Sequence, residues 1–311
     1  MKTIFHSRGC SRSRRGVALL LVIWALAFLS VTIFGVIEMV LARQEDTVGL
    51  NRELRASQLA EPGLAIGLHP AIQRGDDLLN HEVRSSEGWE VKLSTEESRL
   101  QINQLLTSNG KPSLIDLFEK WGLKDDEASA VVDGLMDWVD ADDLSHLNGA
   151  ERDYYREQGH PEYPRNASFQ SVDEMALVRG MDVVAEKKPD WMNCFTIWGD
   201  GKLDVNEASA ELIQAVCGVT SEQAEAAVQR RAGSQEGGDA KPETRFKTLE
   251  EFRLAIGLDA ERFNKVQGRL TVEGVVRRIE STGRIGQHKK TIVLVTRRGA
   301  QPNQYLAWIE P

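Results

Sequence analysis

Between residues 133 and 151 the chain carries six carboxylates: Asp133, Asp137, Asp140, Asp142, Asp143 and Glu151. They sit where a helical pattern, Asp133-Gly134-Leu135-Met136-Asp137-Trp138-Val139, gives way to a loop that ends in Leu147-Asn148-Gly149-Ala150-Glu151. Hard oxygen donors at this density suit Ca²⁺, which takes about 6–8 oxygens in flexible geometry, whereas Mg²⁺ demands a tight octahedron and gives up its water reluctantly. The other account is a solvated acidic face. Trp138 and Val139, interleaved with the acids, weigh against a wholly exposed strip. Leu135, Leu144 and Leu147 are expected to anchor the stretch in apolar surroundings.

A second acidic stretch, Gly199-Asp200-Gly201-Lys202-Leu203-Asp204-Val205-Asn206-Glu207, looks like half an EF-hand. With Asp200 set at loop position five, positions one and three fall on Thr196 and Trp198, where an EF-hand needs side-chain oxygens such as carboxylates. The segment reads as a turn. None of the six histidines shows a metal-ligand spacing, and no nucleophile elbow, P-loop or dinucleotide fingerprint is present, so a non-enzymatic protein is expected. Cys10 precedes Gly16, which leaves Cys194 and Cys217; their spacing is open between a disulfide and two buried thiols.

The elements that must position the acidic cluster begin with a membrane helix. Lys2, Arg8, Arg12, Arg14 and Arg15 lead to Gly16, and an unbroken apolar run follows from Val17 to Ile37 with only Ser30 and Thr32 polar. About 20 such residues cross a hydrocarbon core, and the basic flank keeps the N-terminus cytoplasmic and sends the rest out. The transmembrane helix is placed at 17–40, single-pass, in a cell inner membrane with a periplasmic body. A basic leader, a Gly and an uncut apolar helix resemble the type III signal of pilins. That resemblance implies cleavage by a prepilin peptidase after Gly16, leaving Val17 as an N-methylated new N-terminus. Loss of the leader's basic residues takes the formal charge from −9 to −14, and an acidic body of this kind repels nucleic acid.

Past the membrane the helical stripe continues until Pro62-Gly63, which is expected to kink or end it. Trp89–Ser94 alternates as a strand with one buried face, completing the segment 41–100. Residues 101–268 are dominated by helical patterning, and 269–311 return to strands at Leu270–Ile279, Thr291–Thr296 and Tyr305–Ile309, with Ser281-Thr282-Gly283 as a turn. The expected fold is α+β: a long N-terminal helix on a small antiparallel sheet, with a large all-α insertion.

The insertion reads as two repeats, about 101–181 and 204–258. Ile102-Asn103, Trp121-Gly122-Leu123 and Phe169–Gly180 in one match Val205-Asn206, Cys217-Gly218-Val219 and Phe246–Gly257 in the other. In both endings Phe and Gly stand eleven apart, and Ser171 and Thr248, each followed three residues later by Glu, form capping boxes. Units of this kind resemble helix-hairpin-helix modules, so an exported, membrane-anchored DNA receptor of the competence type is the competing function. Phosphate cradling needs outward-pointing backbone N–H groups from packed glycines. Gly122 is instead followed by Asp125-Asp126-Glu127 and Gly218 by Glu222, which favours scaffolding without nucleic acid.

The chain is similar to the general secretion pathway protein K family, minor pseudopilins of type II secretion. The residues that carry the likeness are Arg15–Leu21, Asp137–Asp142, Leu147–Glu151 with Tyr154-Tyr155, Pro164–Ala167 with the Phe169–Gly180 ending, and Trp198–Asn206. The resemblance implies a pilin fold with a helical insertion, calcium held by the acidic cluster, and a place at the pseudopilus tip beside minor pseudopilins I and J. Contact with a secreted substrate or the outer-membrane secretin is left open. Cleavage after Gly16 would put Leu21 at the fifth mature position, where most pilins carry a Glu that neutralises a neighbour's amine. A subunit without it, and with a bulky insertion, fits the end of a filament and the start of its assembly.

Overall fold

The computed structural model describes residues 14–106, 110–232, 244–297, 299 and 304–310. Most of the expected leader, residues 1–13, lies outside them; Gly16 and Val17 fall in the first turn of the N-terminal helix. That helix, α1, runs unbroken from Arg14 to Leu68. Its segment Ala18–Met39 is long and apolar enough to cross a membrane.

Of the kink or end expected at Pro62-Gly63, the end does not occur: α1 continues through both residues. Pro62 is exposed, and so is Gln58, whose carbonyl loses the hydrogen bond that proline cannot donate, so water can take its place. Gly63 is there for packing. A Cβ on it would overlap Ser281 Oγ and come within 2.9 Å of Val91 Cγ2, and one on Gly67 would reach 2.6 Å from Ile279 Cγ2. Ala56 and Ala60 complete this small-residue face, and Ser281 Oγ donates to the Ala60 carbonyl at 2.7 Å.

The partner of that face is a five-stranded antiparallel sheet. Its order is β1 (Asn80–Arg84), β2 (Glu87–Thr95), β7 (Val276–Ile285), β8 (His288–Arg297) and β9 (Gln304–Ile309). Ala60 and Leu64 of α1 pack on Val91, Leu93, Ile279, Ile292 and Leu294 to form one core. Two sequence assignments shift here. Leu270–Ile279 is a two-residue strand, β6 (Leu270–Thr271), then a loop and the start of β7, and Ser281-Thr282-Gly283 lies inside β7. Gly283 is strand rather than turn because the backbone of Ala56 lies where its Cβ would be.

The chain leaves the sheet after Thr95 and returns at Val276. Between them lies a second, larger core: α2 (Ile102–Leu105), α3 (Lys111–Lys120), α4 (Asp125–Val139), α5 (Arg152–Glu157), α6 (Met181–Lys187), α7 (Ala210–Cys217), α8 (Ser221–Ala232), α9 (Leu249–Ala255) and α10 (Ala260–Val266). Two short parallel pairings close it, β3 (Leu100–Gln101) on β4 (Phe195–Thr196) and β5 (Leu203–Asp204) on β6.

Two parts of this insertion make matching contacts. Asn103 receives the Phe169 N–H on Oδ1 (2.9 Å) and donates from Nδ2 to the Phe169 carbonyl (3.1 Å). Asn206 does the same with Phe246, at 2.8 and 2.9 Å. Glu174 accepts the Gln170 N–H and Glu251 the Lys247 N–H, each with its own N–H on Ser171 or Thr248. Gly122, Gly180, Gly218 and Gly257 all take positive φ at the corresponding turns and stops. The first ending is a 3-10 turn, Asp173–Leu177, and the second is the α-helix α9.

Insertion and sheet are joined by four carboxylates, three of them buried and Glu207 half-buried. Glu96 accepts from Thr196 Oγ1 (2.5 Å) and Arg278 Nη1 (3.1 Å), and Glu97 from the Val276 N–H (3.2 Å). Asp204 accepts the Gly274 and Asn206 N–H groups, and Glu207 accepts the Thr95 N–H and pairs with Arg74 and Arg245. Asp204 therefore serves as a structural tie after a turn in which Lys202 N–H and Nζ both engage Asp200.

Candidate metal centre

The acidic cluster forms at the C-terminal end of α4. Asp133 and Asp137, four residues apart, share one face of the helix and are both buried. Asp140 caps the helix, its N–H on the Met136 carbonyl. The loop that follows folds back over this end. His146 N–H donates to Asp137 Oδ1 at 3.0 Å, and His146 Nδ1 contacts the same oxygen. Gly149 lies so close to Asp137 Oδ2 that a Cβ would overlap it, and Arg179 Nη1 holds the Gly149 carbonyl at 3.0 Å. Glu151 closes the loop just before α5.

A layer of aromatics fixes the base. Trp138, fully buried, stacks on Phe169 and packs edge-on against Tyr155, while its Nε1 donates to Glu174 Oε1 at 3.0 Å. Glu174 also takes Arg165 Nη1 at 3.2 Å. Leu135 belongs to the core, whereas Leu144 and Leu147 are 77% and 94% exposed, so those two do not anchor the loop. Hydrogen bonds to the acids hold it instead.

The structure divides the six expected acids into two groups. Asp137 and Asp140 lie together with His146, and Glu151 is near enough to feel their charge. Asp137 Oδ2, Asp140 Oδ1, both oxygens of Glu151 and Asn166 Oδ1 are buried without a hydrogen-bond partner. The other three have partners. Asp133 is engaged by Lys111 Nζ and, at 3.2 Å, by the Asn148 N–H. Asp142 Oδ1 accepts the Leu144 N–H at 2.8 Å, and Asp143 meets Asn166 Nδ2 and Arg152. The sequence pattern missed Asn166 and His146. Asn166 sits in the left-handed region (φ 49°), which asparagine tolerates, and donates to the Asp142 carbonyl at 2.9 Å, turning its oxygen inward.

Burial, then the neighbouring Asp137, Asp140, Asp143 and Asp142, pushes the Glu151 carboxyl up to about 7. Burial also raises Asp140, with Asp142 and Asp137 adding to it. Five bare oxygens, all hard donors and contributed by three carboxylates and an amide, fit a hard divalent cation. His146 joins Asp137 and Asp140 in a compact group of metal-ligand type, but its Nδ1 lies on an Asp137 oxygen that is already engaged. It positions Asp137 so that Oδ2 is free. A cation held here would join the end of α4, the loop and the segment around Asn166.

Cys194 and Cys217 are both free and buried, and burial pushes their thiols up to about 11 and about 12. The hairpin glycines Gly122 and Gly218 precede acidic first turns in α4 and α8.

Residues 98–188 match the family model for type II secretion system (T2SS), protein K. That interval holds the whole acidic centre, Asn166 included. Over that interval the chain is similar to protein K. No curated protein matches it. In fold it is similar to a chain of the GspK-GspI-GspJ complex from the enterotoxigenic Escherichia coli type 2 secretion system, with a TM-score of 0.57 and 15% identity over 87% of this chain and 98% of that one. At this identity the likeness is one of fold. The resemblance to minor pseudopilin K holds, and the family is a structural one.

Proposed function

We propose that the chain caps the tip of a periplasmic pseudopilus and helps initiate its assembly, acting without catalysis beside minor pseudopilins of the I and J kinds. The observation that carries this is the placement of the insertion. It enters after β2 and returns through β7, so its bulk stands beside the sheet rather than on the α1 stem by which pilin-like subunits pack. Such a mass obstructs stacking within a thin filament and is tolerated at its end. Leu21 in place of the usual Glu removes the charge that would pair with the amine of a following subunit. The matching Asn–Phe, cap and glycine contacts favour two duplicated helical units as the origin of the insertion. Ca²⁺ at Asp137, Asp140, Glu151 and Asn166 serves as a structural ion, and the inner membrane holds the chain by α1 with its body in the periplasm. Maturation by a prepilin peptidase after Gly16 completes this reading.

The test is reconstitution of the mature chain with the I- and J-type pseudopilins of the same genome. A stable complex with one copy of each, bound at filament ends in electron micrographs, is expected. Binding along filament sides, or to double-stranded DNA with a steep salt dependence, would reject the cap in favour of a shaft subunit or a DNA receptor.

A further inference from the structure

A cleft of about 770 Å³ opens where the end of α1, the open end of β2, the β5 segment and the β6–β7 loop meet. The protein is acidic overall, yet Arg74, Arg245, Lys247, Arg277 and Arg297 all line this cleft. Of the three acids that line it, Asp204 is buried and Glu207 half-buried, and both are already occupied by backbone N–H groups or arginines; Glu273 is exposed. Ile72, Leu93 and Phe246 give it apolar walls. Its volume falls within the roughly 300–1,000 Å³ of ordinary ligand sites.

The geometry points to this cleft as a binding site for an extended acidic peptide segment of a partner protein. Glu207 shows the chemistry at work: its carboxylate enters the cleft between Arg74 and Arg245 while the Thr95 N–H takes its second oxygen at 2.9 Å. A ligand carboxylate would meet Lys247 and Arg297 in the same charge-assisted way. The apolar walls accept the alternate side chains of an extended chain, which a free inorganic anion does not supply. A lipid headgroup cannot reach it. Leu68 lies 29 residues beyond Met39 on α1, which at about 1.5 Å per residue is roughly 43 Å from the membrane segment. This inference stands apart from the tip assignment, since any acidic partner would serve.

The full chain in lipid nanodiscs is titrated into a fluorescein-labelled peptide Glu-Leu-Glu-Val-Glu-Leu and its Gln-for-Glu counterpart, read by fluorescence anisotropy. The acidic peptide is expected to bind about tenfold or more tightly than the amide peptide, and less so at high salt. Lys247→Glu with Arg297→Glu should remove that preference; both side chains are exposed, and an unchanged melting curve verifies the fold. Equal affinity for the two peptides overturns the site, as does a charge-reversed variant that binds like the parent. Displacement of the peptide by an equal concentration of inorganic phosphate also rejects it, because the cleft would then be a simple anion site.

Discussion

Two groups of buried and half-buried carboxylates sit in this molecule, and they are built in opposite ways. At the junction of sheet and insertion, Glu96, Glu97, Asp204 and Glu207 each reach N–H, hydroxyl or guanidinium donors. At the end of α4, Asp137, Asp140 and Glu151 keep bare oxygens that no described group satisfies. Burial raises the carboxyl in both places, Asp204 to about 6 and Glu151 to about 7. A raised carboxyl therefore does not separate a tie from a ligand site here; the unsatisfied lone pair does. Buried polar groups without partners are rare in folded proteins, so a cluster of them is where a cation or ordered water would be sought.

The largest effect that could break this contrast lies at the junction. Glu207→Ala strands two guanidiniums and the Thr95 N–H. Removing one partner of a buried charge network costs about 3–5 kcal/mol, and because Arg74 and Arg245 remain about a quarter exposed the lower end, about 3, is expected. Urea denaturation should show the same loss in calcium and in chelator. A loss that calcium restores would mean the junction is a cation site as well.

Next comes the α4 centre. Calcium should stabilise the chain by about 2.7 kcal/mol at 100 times its Kd, read as a rise in melting temperature. Glu151→Gln and Asp140→Ala should abolish the rise. The pH sign follows from the raised Glu151 carboxyl. In chelator the folded state holds this proton more tightly than the unfolded chain, so its contribution to stability is full below about 4.5 and falls as pH climbs to about 7. Calcium takes over the ionised form and should flatten that decline. Identical curves in chelator and calcium would reduce the centre to an acidic face.

The sequence carried the outline of this fold because its signals were local. The apolar run that starts α1, the alternation around Val91 and the Ser171 and Thr248 capping boxes are set by neighbours in the chain. Misreadings came where a distant element decides. Pro62-Gly63 looks like a stop until Val91 and Ser281 are seen to need that glycine. Ser281-Thr282-Gly283 looks like a turn until α1 lies on it. β1 shows no buried face at all, being exposed throughout, and so leaves no pattern. At the candidate centre, density of acid picks out the stretch but not which of its oxygens stay bare. Asp133 is drawn off by Lys111, and Asn166 comes from a segment whose composition says nothing of a site.

The smallest expected effect sharpens the division within the acidic stretch itself. Asp142 and Asp140 are two residues apart and equal in formal charge, so a general acidic field would make them equivalent. Asp140 Oδ1 is buried and bare, whereas Asp142 is exposed and spends Oδ1 on the Leu144 N–H. Asp142→Ala thus removes a screened charge near the ion and one loop hydrogen bond, each worth about 1 kcal/mol or less. Calcium titration calorimetry should show affinity down several-fold for Asp142→Ala while binding persists, and binding lost for Asp140→Ala. If the two variants weaken calcium alike, the ion is held by diffuse charge rather than by the bare oxygens, and the contrast with the junction fails.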